Sequence, residues 1–102
     1  MPVKDTIKVT DADGDIVSSP DRRLVWMAQT PQVFELELIR EALRRQLTED
    51  CSRITDDAMV VERQMGVRVH MVEGSYENIK ITTPEDLDIA EVFAKQQRTG
   101  RF

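Results

Sequence analysis

Glu77-Asn78-Ile79-Lys80-Ile81-Thr82-Thr83-Pro84-Glu85-Asp86-Leu87 is the stretch on which the reading of this chain turns. From Asn78 to Thr82 polar and apolar residues alternate with the period of two of a strand. Asn78, Lys80 and Thr82 therefore share one face, and Ile79 and Ile81 the other. Thr83 followed by Pro84 is a helix start: threonine caps, and proline at the first helical position lacks only a donor that would be orphaned there anyway. Leu87, Ala90 and Ala94, with Phe93 beside them, then recur at helical spacing. If the isoleucines face a core, Lys80 and Thr82 emerge together just ahead of a helix N-terminus. Free backbone N–H groups and a partial positive charge suit such an end to phosphate. The plainer reading, which pattern alone favours, is a solvated lysine guarding an edge strand against aggregation.

Upstream, the same grammar repeats. Val67, Val69 and Met71 alternate with Arg68, His70 and Val72, another strand pattern. Thr55-Asp56-Asp57 precedes Ala58, Val61 and Met65 at helical spacing, closed by Gly66. Thr30-Pro31-Gln32 precedes Leu36, Ile39, Leu43 and Leu47, predicting a first helix. Thr30, Thr55 and Thr83 are read as caps before they are read as ligand-binders. At the N-terminal end, Asp11-Ala12-Asp13-Gly14-Asp15 separates two β-prone runs, Ile7–Thr10 and Asp15–Ser18, and predicts a hairpin. An isolated hairpin is marginal in water, so this one needs something to pack on. Ser18–Asp21 reads as a loop, Leu24–Gln29 as a further strand, and the polar tail from Gln96 to Phe102 as fraying. The order hairpin, strand, helix, helix, strand, strand, helix predicts an α/β protein with helices packed on a sheet.

Composition narrows the partners. The 102 residues allow one small domain, and 40% apolar with 32% charged residues is ordinary globular material. The net charge of −5 argues against broad binding to nucleic acid or anionic membranes, which needs a basic face. A few basic residues in one pocket can still hold phosphate. Apolar runs fall far short of the roughly 20 residues that span a bilayer, and no basic-then-apolar leader is present. The single Cys51 cannot form an internal disulfide and reads as a bystander near a helix end.

Other residues are weighed the same way. Arg22-Arg23 offers guanidinium groups that pair with phosphate through two parallel hydrogen bonds, though loop arginines are commonly just solvated. His70 has no metal-ligating neighbour at a useful spacing and reads as a sheet-surface residue. Trp26 and Phe34 read as packing, and Asp56-Asp57 as a favourable charge at a helix start. No Gly-rich phosphate loop, nucleophile elbow or metal quartet is present.

Six strings go further when taken in order: Pro2-Val3-Lys4-Asp5-Thr6-Ile7-Lys8; Asp21-Arg22 followed by Trp26; Gln29-Thr30-Pro31-Gln32-Val33-Phe34; Ile54-Thr55-Asp56-Asp57-Ala58; Val72-Glu73-Gly74; and Glu77 through Leu87. Over essentially its whole length the chain resembles the C-terminal half of the 2-C-methyl-D-erythritol 4-phosphate cytidylyltransferases. The resemblance implies the end of a Rossmann-like nucleotidyltransferase sheet with a projecting β-hairpin dimerisation arm. Residues 1–29 would form the arm and a strand, and residues 30–102 the helices and strands of the α/β core. It implies transfer of CMP from CTP to methylerythritol phosphate, in the bacterial cytosol or a plastid. By the same resemblance Lys80 and Arg22 are the catalytic residues: Lys80 meets the reacting phosphates, Arg22 and Thr6 bind the substrate phosphate from the arm of a homodimer, and Thr30, Thr55 and Thr82 line the substrate site. Arg22 rather than Arg23 fits the family position counted back from Trp26, with one residue of slip left open. Mg2+ is implied as well. The family's Gly-rich CTP loop and its acidic metal ligand are absent from this sequence, so the chain by itself is expected to be inactive. Two other readings stand beside this one: a non-catalytic dimerisation module, and a cytidylyltransferase for ribitol phosphate or another alditol phosphate.

Overall fold

The computed structural model describes residues 1–99. They divide into two compact units: Met1–Gln29 together with the chain from Val72 onward, and Thr30–Met71.

The first unit opens with the expected hairpin. Strands β1 (Val9–Thr10) and β2 (Ile16–Ser18) pair antiparallel, Val9 opposite Ser18 and Thr10 opposite Ile16, with a bulge between. The turn is built by Asp11, whose Oδ1 accepts from the backbone N–H groups of Asp13 (3.0 Å) and Asp15 (3.1 Å). Gly14 takes φ +91°, a region that side chains avoid. Below the hairpin the two legs stay together. Pro2 pairs with Trp26 as an antiparallel bridge, Met1 and Met27 exchange hydrogen bonds of 2.9 and 2.8 Å, and Val3 N–H donates to the Val25 carbonyl at 3.1 Å. The strand predicted over Leu24–Gln29 is thus reduced to this one bridge, because a 3-10 turn over Arg22–Leu24 occupies its start. The helix of this unit, the last in the chain, runs over Pro84–Arg98 (α3) and carries no buried residue. Its length corrects the expected fraying from Gln96; residues 100–102 lie outside the described part.

The second unit is a helix pair. Helix α1 (Leu36–Gln46) packs on α2 (Asp57–Met65) around Ala42, Val60 and Val61, with Phe34, Leu38, Ile39, Ile54, Met65 and Val69 closing over them. Burial of this apolar surface is what holds so short a pair together. Three expectations fail here. Helix α1 does not begin at Thr30-Pro31, which is a cis peptide followed by a non-helical segment, but at Leu36 after Glu35. Gln32 holds that segment in place: its Nε2 donates to Asp56 Oδ2 and its Oε1 accepts from Ala58 N–H, both at 3.0 Å. The buried face of α1 is Leu38, Ile39, Ala42 and Gln46, whereas Leu36 and Leu47 are largely exposed. Gln46 can be buried because Gln64 Nε2 donates to its Oε1 (2.8 Å) while its own Nε2 donates to the Asp50 carbonyl (3.2 Å). The cap of α2 is Asp56, accepting from Met59 N–H at 2.9 Å, and not Thr55. Gly66 ends α2 in the left-handed conformation, φ +63°, as its position predicts.

The strands predicted over Val67–Val72 and Asn78–Thr82 are absent among the described residues. Both segments are non-helical, but a strand exists only against a neighbour that takes up its N–H and C=O groups. His70 is accordingly an exposed residue outside any sheet. Cys51 is free and exposed.

Candidate substrate-binding site

The two adjacent arginines have different fates. Asp21 caps the 3-10 turn by accepting from Arg23 N–H, and its carboxylate also takes Arg23 Nε (3.1 Å to Oδ1) and Nη2 (2.8 Å to Oδ2). That fork holds the Asp21 carboxyl below its ordinary range and pushes Arg23 up. Arg22 instead donates Nη1 to the Lys4 carbonyl at 2.7 Å and has no carboxylate partner among the described residues. Its remaining N–H groups are left for water or an anion. The same bond brings Arg22 beside the leg that carries exposed Thr6, two residues beyond Lys4.

Lys80 is exposed and forms no hydrogen bond or ion pair among the described residues. Ile79 is half-buried and Ile81 is 53% exposed, so only the first isoleucine faces inward as the alternation predicts. The segment is anchored just upstream, where Gln29 Nε2 donates to the carbonyls of Ser75 (2.8 Å) and Asn78 (3.1 Å).

The N-terminus of α3 is not the open anion site that the sequence suggests. Thr83 caps it, and Asp86 three residues on completes a capping box. One oxygen of Asp86 accepts from Thr82 N–H (2.9 Å), Thr82 Oγ1 (3.0 Å) and Thr83 N–H (2.9 Å). These bonds, the backbone ones foremost, hold the Asp86 carboxyl below its ordinary range. Glu85 is lowered too, by its own backbone N–H and then by Thr83. Pro84 has no N–H to offer. The donors are spent and two carboxylates sit where a phosphate would, so the charge for an anion must come from side chains. Asp86, quoted in the sequence reading without a role, is the residue that reading missed. Its signal was the Thr-x-x-Asp spacing.

In the second unit, exposed Thr30 opens the segment whose Gln32 reaches Asp56, the residue after exposed Thr55. Thr30 and Thr55 therefore flank the two ends of one hydrogen bond. No group of three or more His, Cys, Asp or Glu among the described residues can hold a metal, so the Mg2+ implied by resemblance has no ligand set here. No helix among them is long and apolar enough to cross a membrane.

The described chain superposes with TM-score 0.70 and 34% identity on the crystal structure of 2-C-methyl-D-erythritol 4-phosphate cytidylyltransferase from Thermus thermophilus, over 93% of this chain and 46% of that one. The fold is therefore part of an α/β nucleotidyltransferase fold. Residues 1–96 match the family model of 2-C-methyl-D-erythritol 4-phosphate cytidylyltransferase, and the chain belongs to that family. The enzyme of that name from Caldanaerobacter subterraneus subsp. tengcongensis is 58% identical over 96 residues, which are 94% of this chain and 41% of that protein. The one from Lachnospira eligens is 53% identical over 95 residues, 92% of this chain and 42% of that protein. The chain thus spans about two fifths of the length of these relatives.

Proposed function

We propose that this chain is the C-terminal part of an enzyme that transfers CMP from CTP to 2-C-methyl-D-erythritol 4-phosphate. A phosphate oxygen of the alditol attacks the α-phosphorus of CTP; the new P–O bond forms as the bond to the bridging oxygen breaks, and pyrophosphate leaves with that electron pair. Little covalent work falls to the protein, so catalysis is positioning and neutralisation of charge. Lys80 neutralises charge on the reacting phosphates. Arg22, with Thr6 beside its leg, clamps the phosphate of the alditol. By the family resemblance Thr30, Thr55 and Thr82 are further substrate-binding residues. The Thr82 hydroxyl already donates to Asp86, so it meets substrate with its lone pairs and suits an alditol hydroxyl better than a phosphate oxygen. The observation that carries the reading is the match of residues 1–96 to the cytidylyltransferase family, supported by an Arg22 guanidinium that holds only a backbone carbonyl while the neighbouring Arg23 is committed to Asp21.

The arm supports a homodimer. Val9, Ile16 and Val17 are 46%, 60% and 62% exposed on a two-stranded ribbon too small to hide them. On this reading the triphosphate cradle and the ligands of the divalent ion lie beyond the described residues, among which no metal-binding group of three or more His, Cys, Asp or Glu is found.

The test joins this chain to the remaining part of the 58%-identical Caldanaerobacter protein and follows pyrophosphate release from CTP and methylerythritol phosphate. The chimera turns over and the chain by itself does not. Lys80→Ala in the chimera lowers kcat by a factor of hundreds, the usual cost of losing one electrostatic contact to the transition state. A chimera that folds, binds CTP and releases no pyrophosphate refutes the activity, and a normal kcat for Lys80→Ala removes that residue from the chemistry.

A further inference from the structure

We infer that Tyr76 is a positioning residue, a clip that fastens the leg of the arm carrying the Arg22 clamp to the turn leading into Lys80. The inference rests on the proposed roles of Arg22 and Lys80 for its functional meaning, and on geometry for its existence.

The leg needs a clip. Met1–Val3 is held to Val25–Met27 by a short two-stranded ladder, and such a ribbon is marginal without a third element. Tyr76 supplies contacts at two points. Its hydroxyl donates to the Pro2 carbonyl at 2.8 Å, and Lys4 Nζ stands over its ring, 4.1 Å from the centroid. Lys4 is also the residue whose carbonyl receives Arg22. Fixing Lys4 from its side chain therefore fixes the acceptor that aims the guanidinium. From the other leg, Gln29 Nε2 holds the carbonyls of Ser75 and Asn78, which bracket Tyr76 in the chain. Gly74 admits this approach, since a Cβ there would lie 2.9 Å from Gln29 Oε1, and its N–H lies 3.1 Å from Met1 Sδ. Both legs of the arm thus grip one turn, and the next residues of that turn carry Lys80.

Nothing else in the proposed chemistry requires an aromatic residue at this position. A tyrosine that only filled space would make neither the carbonyl bond nor the cation contact.

The experiment uses the chain of 102 residues with inorganic phosphate as probe. Amide exchange is followed at Val3 and Met27, the donors of the ladder, with Val60 and Val61 as controls in the other unit. The Arg22 Nε–H resonance reports phosphate binding. Tyr76→Leu speeds exchange at Val3 and Met27 by roughly tenfold and leaves the controls unchanged, since one hydrogen bond and one exposed cation contact are lost. Tyr76→Phe keeps the ring beneath Lys4 and recovers part of both the protection and the phosphate response. Gly74→Ala forces Gln29 aside and gives the Tyr76→Leu pattern with the tyrosine intact. Unchanged exchange at Val3 and Met27 in Tyr76→Leu overturns the clip. So does equal acceleration at the controls; should that variant fail to fold, unchanged exchange in Tyr76→Phe and Gly74→Ala overturns it as well. A native chain whose Arg22 resonance ignores phosphate instead refutes the clamp, and the exchange data still decide the clip.

Discussion

Replacing Arg22 and Arg23 in turn by alanine asks which of two neighbouring guanidinium groups is available to an anion. Arg23 already holds the Asp21 carboxylate at two points, with bonds of 3.1 and 2.8 Å. To take a phosphate it would have to release that carboxylate, whose negative charge would then stand next to the incoming anion. Arg22 gives up at most one bond to a neutral carbonyl, and a guanidinium can keep that bond while other N–H groups turn to a ligand. A hydrogen bond to a charged partner contributes about 1.5–3 kcal/mol, which is roughly 10- to 150-fold in affinity. Arg22 is exposed, where water competes, so the lower end applies. Arg22→Ala in the chimera therefore raises KM for methylerythritol phosphate by roughly 10- to 30-fold. The clamped phosphate carries the attacking oxygen, but its other oxygens keep most of their charge as the new P–O bond forms. Most of the contact therefore persists into the transition state, and the effect falls mainly on KM. Arg23→Ala changes KM by less than about threefold, since an exposed ion pair carries little.

The assay is steady-state kinetics at saturating CTP for both variants, with circular dichroism to show that each remains folded. Arg22→Lys separates charge from fork geometry, because an ammonium restores the point charge and not the two-point bond. Equal effects of the two alanine variants, or a larger effect at Arg23, would show that the clamp is misassigned by one residue. A fall in kcat with KM unchanged would show that Arg22 serves the reacting centre.

Two further outcomes concern the helix pair. Glu41 is held at about 2, against an ordinary 4.5, chiefly by Arg44 and then by Arg45. Its folded value lies below its unfolded one, so its contribution is present above about pH 4.5 and disappears as pH falls toward 2; Glu41→Gln flattens the thermal melting profile over that window, and an unaltered profile contradicts the assignment. Val61 is fully buried, so Val61→Ala removes about two methylene equivalents and leaves a cavity, costing about 2–3 kcal/mol in urea unfolding. Val33→Ala, at a site 84% exposed, stays within about 0.5 kcal/mol and serves as the control.

What could be read from the sequence was whatever is decided within four residues. The Asp11 turn with Gly14, the Gly66 stop and the Thr83-Pro84 start are local devices, and each forms where the residues place it. Thr30-Pro31 carries an equally good local signal and starts no helix. A partner 24 residues away decides there, since Gln32 is pinned to the head of α2. The buried face of α1 departs from the spacing of its leucines for a related reason. Gln46 looks like a solvent residue until Gln64 and Asp50 satisfy its amide, and that satisfaction is invisible in one dimension. Alternation at Val67–Val72 and Asn78–Thr82 reports which side chains prefer which face, but the ladder that makes a strand belongs to two segments, and among the described residues neither run is assigned to a strand.

The site teaches the converse lesson, that local rules compete. From the dipole of α3 a phosphate at its N-terminus follows, and from the spacing of Thr83 and Asp86 a capping box follows; both cannot hold, because they claim the same N–H groups. The capping box prevails because its carboxylate is tethered and pays no cost of association, whereas a free phosphate must be brought in from solution. Once Asp86 takes Thr82 N–H and Thr83 N–H, the helix end becomes an acceptor-rich surface. Lys80 is then the group that can bring positive charge to the segment entering α3, since the helix that follows offers carboxylates in its first turn, Glu85 and Asp86. Lys80 is exposed, and a hydrated lysine costs nothing to leave unpaired, so this arrangement is compatible with a solvated lysine as well as with one that meets a phosphate. The chemical reading of Lys80, which the alternation pattern on its own did not favour, therefore stands as a proposal that kcat of Lys80→Ala in the chimera decides.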